Sequence, residues 1–175
     1  MRVYTVGHSN VGIGAFVALL EAHGIKALAD VRAFPVSRRY PHFSGDRLAA
    51  AWADYHWLGK ELGGYRKSAR EDSPHIALEG MWRAYADHME GAAFREGIGR
   101  LLALAAERPT AILCAERTWN ECHRRHIADH LVAIEGVETL HITGTSTPDP
   151  HHLDPRARVD GTRLVYDRGR QRDLF

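Results

Sequence analysis

Residues 2–31, RVYTVGHSNVGIGAFVALLEAHGIKALADV, hold the pattern from which the fold follows. Residues 2–7 read as a buried strand that stops at Gly7-His8-Ser9-Asn10. Ser9 or Asn10 is placed to cap the helix that follows, on which Phe16, Leu19 and Leu20 recur at helical spacing. Gly24 ends that helix, and Ile25 to Val31 is a second apolar strand. A strand–helix–strand unit joins two parallel strands by a right-handed crossover. The prediction is therefore an α/β fold: a single domain with a mainly parallel sheet flanked by helices.

The rest of the chain extends this unit. Thr110–Cys114 reads as a third buried strand, and Val137–Ile142 as a fourth. Between them the spacing predicts a helix from about Asn120 to Ile134, with Ile127, Leu131 and Ile134 on one side and Gly136 ending it. Two further helices are expected over Leu78–Met89 and Ala93–Glu107, the second with an Ile98/Leu101/Leu102/Ala105 face. The middle is less regular. Phe34, Pro35, Tyr40, Pro41 and Phe43 make an extended loop, a short helix follows over Arg47–Tyr55, and Trp57–Arg70, with Gly63-Gly64 and many charges, reads as a loop or lid insertion. After Gly144 the chain turns polar and proline-rich, with a short strand at Arg163–Tyr166. One domain over 1–166 and a tail over 167–175 are expected.

A length of 175 residues suits one core, and 45% hydrophobic with 26% charged residues excludes a disordered chain. No apolar run approaches the ~18 residues needed to span a bilayer, so no membrane partner is expected. The opening strand leaves no room for a signal peptide, and two cysteines make a secreted disulfide framework a poor fit, so a cytoplasmic protein is expected. The formal net charge of +1 does not mark a nucleic-acid binder. Charge is nevertheless uneven: Arg38, Arg39, Arg47, Lys60, Arg66, Lys67 and Arg70 form a basic run able to meet phosphates.

Chemistry concentrates in Cys114-Ala-Glu-Arg-Thr-Trp-Asn-Glu-Cys-His-Arg-Arg, between a buried strand and a helix. Ligands of open parallel sheets bind beyond the carboxyl ends of strands. A cysteine there sees unpaired N–H groups, the helix dipole and arginines, all of which favour thiolate. Cys114 is thus a candidate nucleophile, with Glu116 or His123 as proton-transfer partner and Cys122 as resolving thiol or second ligand. Alternatively Cys114, Cys122 and His123 hold a soft metal, with His8 completing the set, although their spacing matches no common zinc pattern. Asp30 and Arg32 end the second strand and His8 the first, which brings them to the same sheet edge. Arg32 and Arg124 are candidate anion clamps, joined as substrate-binding candidates by Asn10, Arg38 and Arg39. The remaining histidines, including His151-His152, read mainly as surface or loop residues.

These segments resemble the domain-of-unknown-function family 488 (DUF488). The resemblance runs through Thr5-Val6-Gly7-His8-Ser9-Asn10, Asp30-Val31-Arg32-Ala33-Phe34-Pro35, Ser37-Arg38-Arg39, Phe43 and Leu62-Gly63-Gly64. It continues in Tyr85-Ala86-Asp87-His88-Met89, Cys114-Ala115-Glu116, Cys122-His123-Arg124 and His141-Ile142. It implies a compact α/β domain with this polar cluster and assigns no activity. Asp30-Val31-Arg32 is also similar to the strand end of rhodanese-like domains, but the loop after Cys114 lacks their compact glycine-bearing form. The final Gln171-Arg172-Asp173-Leu174-Phe175 resembles the bacterial sliding-clamp-binding pentapeptide, with Gln171, Leu174 and Phe175 as its contact residues and Arg172 where an apolar residue is common.

The expectation is a DNA-associated enzyme in DNA repair or nucleotide processing, with DNA and the sliding clamp as partners. In it Glu116 or Asp30 is the general acid/base, Cys114 the nucleophile or ligand, and the cofactor is open. A small-molecule thiol, sulfur-transfer or phosphate-ester enzyme and a non-enzymatic clamp-recruited adaptor are the alternatives.

Overall fold

Five consecutive buried residues, Thr110–Cys114, form the strand around which the sheet is organised. The computed structural model describes residues 1–169. Eight strands occur among them: Arg2–Gly7 (β1), Ala27–Asp30 (β2), Tyr55–Trp57 (β3), Thr110–Cys114 (β4), Glu138–Ile142 (β5), Asp149–Pro150 (β6), Ala157–Asp160 (β7) and Arg163–Tyr166 (β8). The helices are Ile13–Ala22 (α1), Gly45–Ala51 (α2), Gly59–Leu62 (α3), Gly80–Met89 (α4), Ala92–Glu107 (α5) and Arg124–Ala133 (α6). Six strands form one sheet in the order β3-β2-β4-β1-β5-β6, where β6 runs antiparallel to β5 and every other pairing is parallel; β7 and β8 form a separate hairpin. The single α/β fold with a mainly parallel sheet is thus as expected.

Alternation along the strands divides the core in two. Ala111 and Leu113 of β4 pack with Phe16 and Leu20 of α1 and Leu48 of α2 on one face. Ile112 and Cys114 pack on the other face with Tyr85 of α4, Phe94, Ile98 and Leu101 of α5 and Ile127 and Leu131 of α6. The chain leaves adjacent β1 and β4 in opposite directions, toward β2 and β5, through helices on opposite faces. That is the topological switch point at which open α/β sheets bind ligands. In register, Gly7 stands beside Cys114, and Asp30 beside Leu113.

Several local expectations change. The N-cap of α1 is Gly12, without a side-chain cap, rather than Ser9 or Asn10. Ser9 instead takes a positive φ of 50° as the backbone turns away from β1. The helix expected to reach Tyr55 stops at Ala51, and Tyr55–Trp57 becomes the edge strand, because its parallel partner β2 supplies hydrogen bonds that no local pattern reveals. Within Trp57–Arg70, Leu58 and Leu62 are core residues and 59–62 are helical, so the first half of the expected lid is a packed element. The helix expected from Asn120 starts at Arg124, after a 3-10 turn at Trp119–Glu121 and an extended Cys122. The histidines are far from superficial: His75, His126, His130, His141 and His151 are buried. Gln171, Leu174 and Phe175 lie outside the described residues.

Candidate functional site

Three strand ends converge on one cavity. β1 delivers His8, β2 delivers Asp30 and Arg32, and β4 delivers Cys114 and the loop carrying Glu116. The backbone ladder of β1 and β4 continues past the strands, through His8 N–H to the Cys114 carbonyl at 3.0 Å and Ser9 N–H to the Ala115 carbonyl at 2.9 Å. Gly7 is required for this approach, since a Cβ there would lie 1.9 Å from the Glu116 carbonyl oxygen.

The cavity, about 360 Å³, is lined by His8, Arg32, Cys114, Glu116, Glu121, Cys122 and His123 together with Gly64 and an apolar rim. The volume falls in the range of small-molecule sites. The rim residues Phe34, Val36, Tyr65 and Met81 are 71%, 70%, 57% and 48% exposed, although they are apolar or aromatic.

His123 is the pivot of the floor. Its Nε2 lies 2.9 Å from the Val31 carbonyl oxygen, which can only accept, so the neutral ring carries its proton on Nε2. Nδ1 then offers its lone pair to Cys122 Sγ at 3.5 Å and Cys114 Sγ at 3.9 Å. These three ligand atoms all lie within 4.8 Å of one another, a set able to hold a metal ion among the described residues; His8 is not part of it. Cys114 also donates to Glu116 Oε2 at 2.7 Å, and Arg124 Nε donates to Cys122 Sγ at 3.4 Å.

The two thiols behave as a unit. Hydrogen bonding to Cys122, burial and the nearby negative charge of Cys122 and Glu116 push the Cys114 thiol well up. Burial also opposes charge on Cys122, but hydrogen bonding with Cys114 and the positive charge of Arg124 beside it outweigh it and hold Cys122 well below the ordinary thiol value. Of the two, Cys122 is therefore the thiol that ionises first.

The arginines are committed inside the fold. Arg32 meets fully buried Asp30 with Nε 2.9 and 3.1 Å from the two carboxylate oxygens and Nη2 2.5 Å from Oδ2, while Tyr55 donates to the same Oδ2 at 2.7 Å. Arg32 Nη1 reaches His8 Nε2 at 3.3 Å, and His8 Nδ1 donates to the Ser9 carbonyl at 2.8 Å, which leaves Nε2 as acceptor. Burial, assisted by the charge of Arg32 and opposed by the Ser9 hydrogen bond, lowers His8 to about 4, so the ring is neutral at neutral pH. Arg124, 1% exposed, donates Nη2 to the carbonyls of Glu116 and Arg117 and thereby fixes the loop beneath the cavity. Neither guanidinium stands free as an anion clamp.

The structure thus brings together Cys114, Glu116, His8, His123 and Arg32 around the cavity, with Cys122 among them. Asp30 and Arg124 lie behind it as positioning groups. Asn10 faces a neighbouring hollow beside Arg117, and Arg38 and Arg39 are exposed on the chain just beyond Val36 and Ser37 of the rim. Sequence reasoning missed Gly64 and Tyr55. A Cβ on Gly64 would lie 2.6 Å from His123 Nδ1; the Gly63-Gly64 pair was the available signal, since such glycines permit close approach. Also unforeseen was a buried chain in which His151 Nε2 meets Asp129 at 2.9 Å, His141 Nε2 meets His151 Nδ1 at 3.0 Å, and Thr5 meets His141 Nδ1 at 2.8 Å. Its polar atoms partner one another, so it stabilises the β5–α6 side of the sheet.

No curated protein and no solved structure matches this chain. A family model does match, over residues 12–131, a stretch that contains Asp30, Arg32 and the whole Cys114–Arg124 segment. The chain belongs to the family described as Domain of unknown function DUF488.

Proposed function

We propose that the protein is a DNA- or nucleotide-processing enzyme that performs acid–base chemistry on a neutral, ring-sized group such as a nucleobase. One observation carries this reading: a proton-carrying floor, whose cations are already neutralised, opens through an aromatic and apolar mouth. A phosphate on the floor would meet Glu116, Glu121 and Cys122 with no free guanidinium opposite. A nucleobase at the mouth meets the contacting rings of Phe34 and Tyr65, with centroids 6.0 Å apart, as an aromatic surface instead, and its phosphates remain outside beside Arg38 and Arg39. Glu116 then acts as the proton carrier, and His8, its ring nitrogens taken up by Ser9 and Arg32, forms a neutral wall.

The test is fluorescence anisotropy with labelled single- and double-stranded oligonucleotides, followed by a screen for base modification. Single strands should bind with strong salt sensitivity, and Phe34→Ala or Tyr65→Ala should each weaken binding about 5–100-fold, the equivalent of losing one stacked base. Glu116→Gln should bind normally and turn nothing over. Binding that ignores both rim aromatics sinks the reading. A sulfur-transfer enzyme is the second reading, favoured by the paired thiols; a persulfide trapped on Cys114 or Cys122 during turnover, with indifference to DNA, would select it.

A further inference from the structure

We propose that Cys114, Cys122 and His123 bind a zinc ion whose fourth coordination position faces the cavity. Zn–S bonds of about 2.3 Å and Zn–N bonds of about 2.0–2.1 Å place the ligand atoms of a tetrahedral site roughly 3.5–3.8 Å apart. Here Nδ1 of His123 stands 3.5 Å from Cys122 Sγ and 3.9 Å from Cys114 Sγ, and all three atoms fall within 4.8 Å. The two sulfurs lie within 4.8 Å of each other, against about 3.8 Å in a tetrahedral site, so a shift of up to about 1 Å completes it.

The surroundings are those of a ligand set held in place. The Val31 carbonyl fixes the His123 tautomer that leaves Nδ1 free to ligate, the outer-sphere hydrogen bond typical of metal-bound histidine. Arg124 Nε donates to the Cys122 sulfur, as donors do to zinc thiolates. Cys114 is the last residue of β4, and Cys122 and His123 stand at the entrance to α6, so two regular elements carry the set. Adjacent residues can both ligate because the backbone bends between them, from φ −130°, ψ 153° at Cys122 to φ −59°, ψ −13° at His123. That bend explains why the spacing fits no common zinc pattern. Gly64 leaves the approach to Nδ1 clear.

Charge and ligand type agree. Two thiolates balance a divalent ion. Two sulfurs and an imidazole suit a borderline-soft ion with tetrahedral preference. All three ligands and Glu116 line the cavity, so the open position would hold water beside a carboxylate able to take its proton. Ion binding is independent of which substrate the cavity admits, and the two proposals therefore fail separately.

The test uses the full chain, reduced and stripped with a chelator, then titrated with zinc or cobalt and no substrate. The expected result is close to one ion per chain, with cobalt showing thiolate charge-transfer and tetrahedral ligand-field bands. Cys122→Ser and His123→Gln should each weaken zinc by more than the roughly 10–100-fold typical of losing an outer-sphere partner. Glu116→Gln should keep its ion; loss of the ion in that variant would make Glu116 the fourth ligand and overturn the open position. Folded, reduced wild-type protein that shows no cobalt charge-transfer band overturns the site, whatever the variants do. Stoichiometric binding of iron in preference to zinc overturns the zinc assignment.

Discussion

At the scale of single residues, the cavity is set by buried charges that have partners. Asp30, with no exposed surface, takes up the Arg32 guanidinium and the Tyr55 hydroxyl, and Arg32 in turn holds His8. The acid considered for catalysis from sequence is thus a positioning residue in the fold. Asp30→Ala strands a buried cation, and breaking a buried pair in this way costs about 3–5 kcal/mol. Tyr55→Phe removes one hydrogen bond to a charged acceptor, worth about 1.5–3 kcal/mol. Urea denaturation of the two variants should therefore rank Asp30→Ala well below Tyr55→Phe in stability. Equal losses would mean that Arg32 finds water or another acceptor. The chemical types at this edge were legible in sequence because they sit at strand ends. Their division into reacting and positioning groups was not, because it depends on which oxygen each guanidinium reaches.

At the scale of elements, the site is a meeting of backbones. The end of β1 presses on the loop after β4 at Gly7, and the segment after α3 presses on His123 at Gly64. Gly64→Ala places a methyl group 2.6 Å from Nδ1, and the ring is the group that must shift. The expected outcome is a folded protein, with circular dichroism like that of the parent, that has lost the Val31–His123 hydrogen bond and binds cobalt at least about 10-fold more weakly, as for a lost outer-sphere partner. Unchanged cobalt affinity would show that Gly64 does not constrain the ring. The long apolar strands and the helix faces of α4 and α5 were legible, since their periodicity is local. Edge strand β3 was not: three residues carry too little pattern, and its register comes from β2.

At the scale of the whole molecule, buried neutral histidines tie stability to pH. Burial lowers His8, His75, His88, His126, His130 and His141 below the ordinary value, to about 4 for His8 and about 3 for His141. The unfolded chain protonates these rings as the pH falls through about 6.5, whereas the folded chain does not until lower pH. Within that window the unfolded state binds more protons, so the stabilisation present above pH ~6.5 is lost progressively as the pH falls toward 4. Urea midpoints should fall steadily as the pH drops over that interval; a midpoint independent of pH there contradicts the assignment.

The sequence by itself determined the α/β class, the strands β1, β2, β4 and β5, and the gathering of Cys114, Glu116, Arg32 and His8 at their carboxyl ends. Hydrophobic period and strand-end placement are short-range properties of the chain. Only the tertiary structure decided the strand order, the commitment of Arg32 and Arg124 to internal partners, and the convergence of two sulfurs and one imidazole nitrogen. These depend on contacts between residues far apart in sequence, such as His123 with Val31 and with Gly64, which packing and backbone hydrogen bonding bring together and no local pattern encodes.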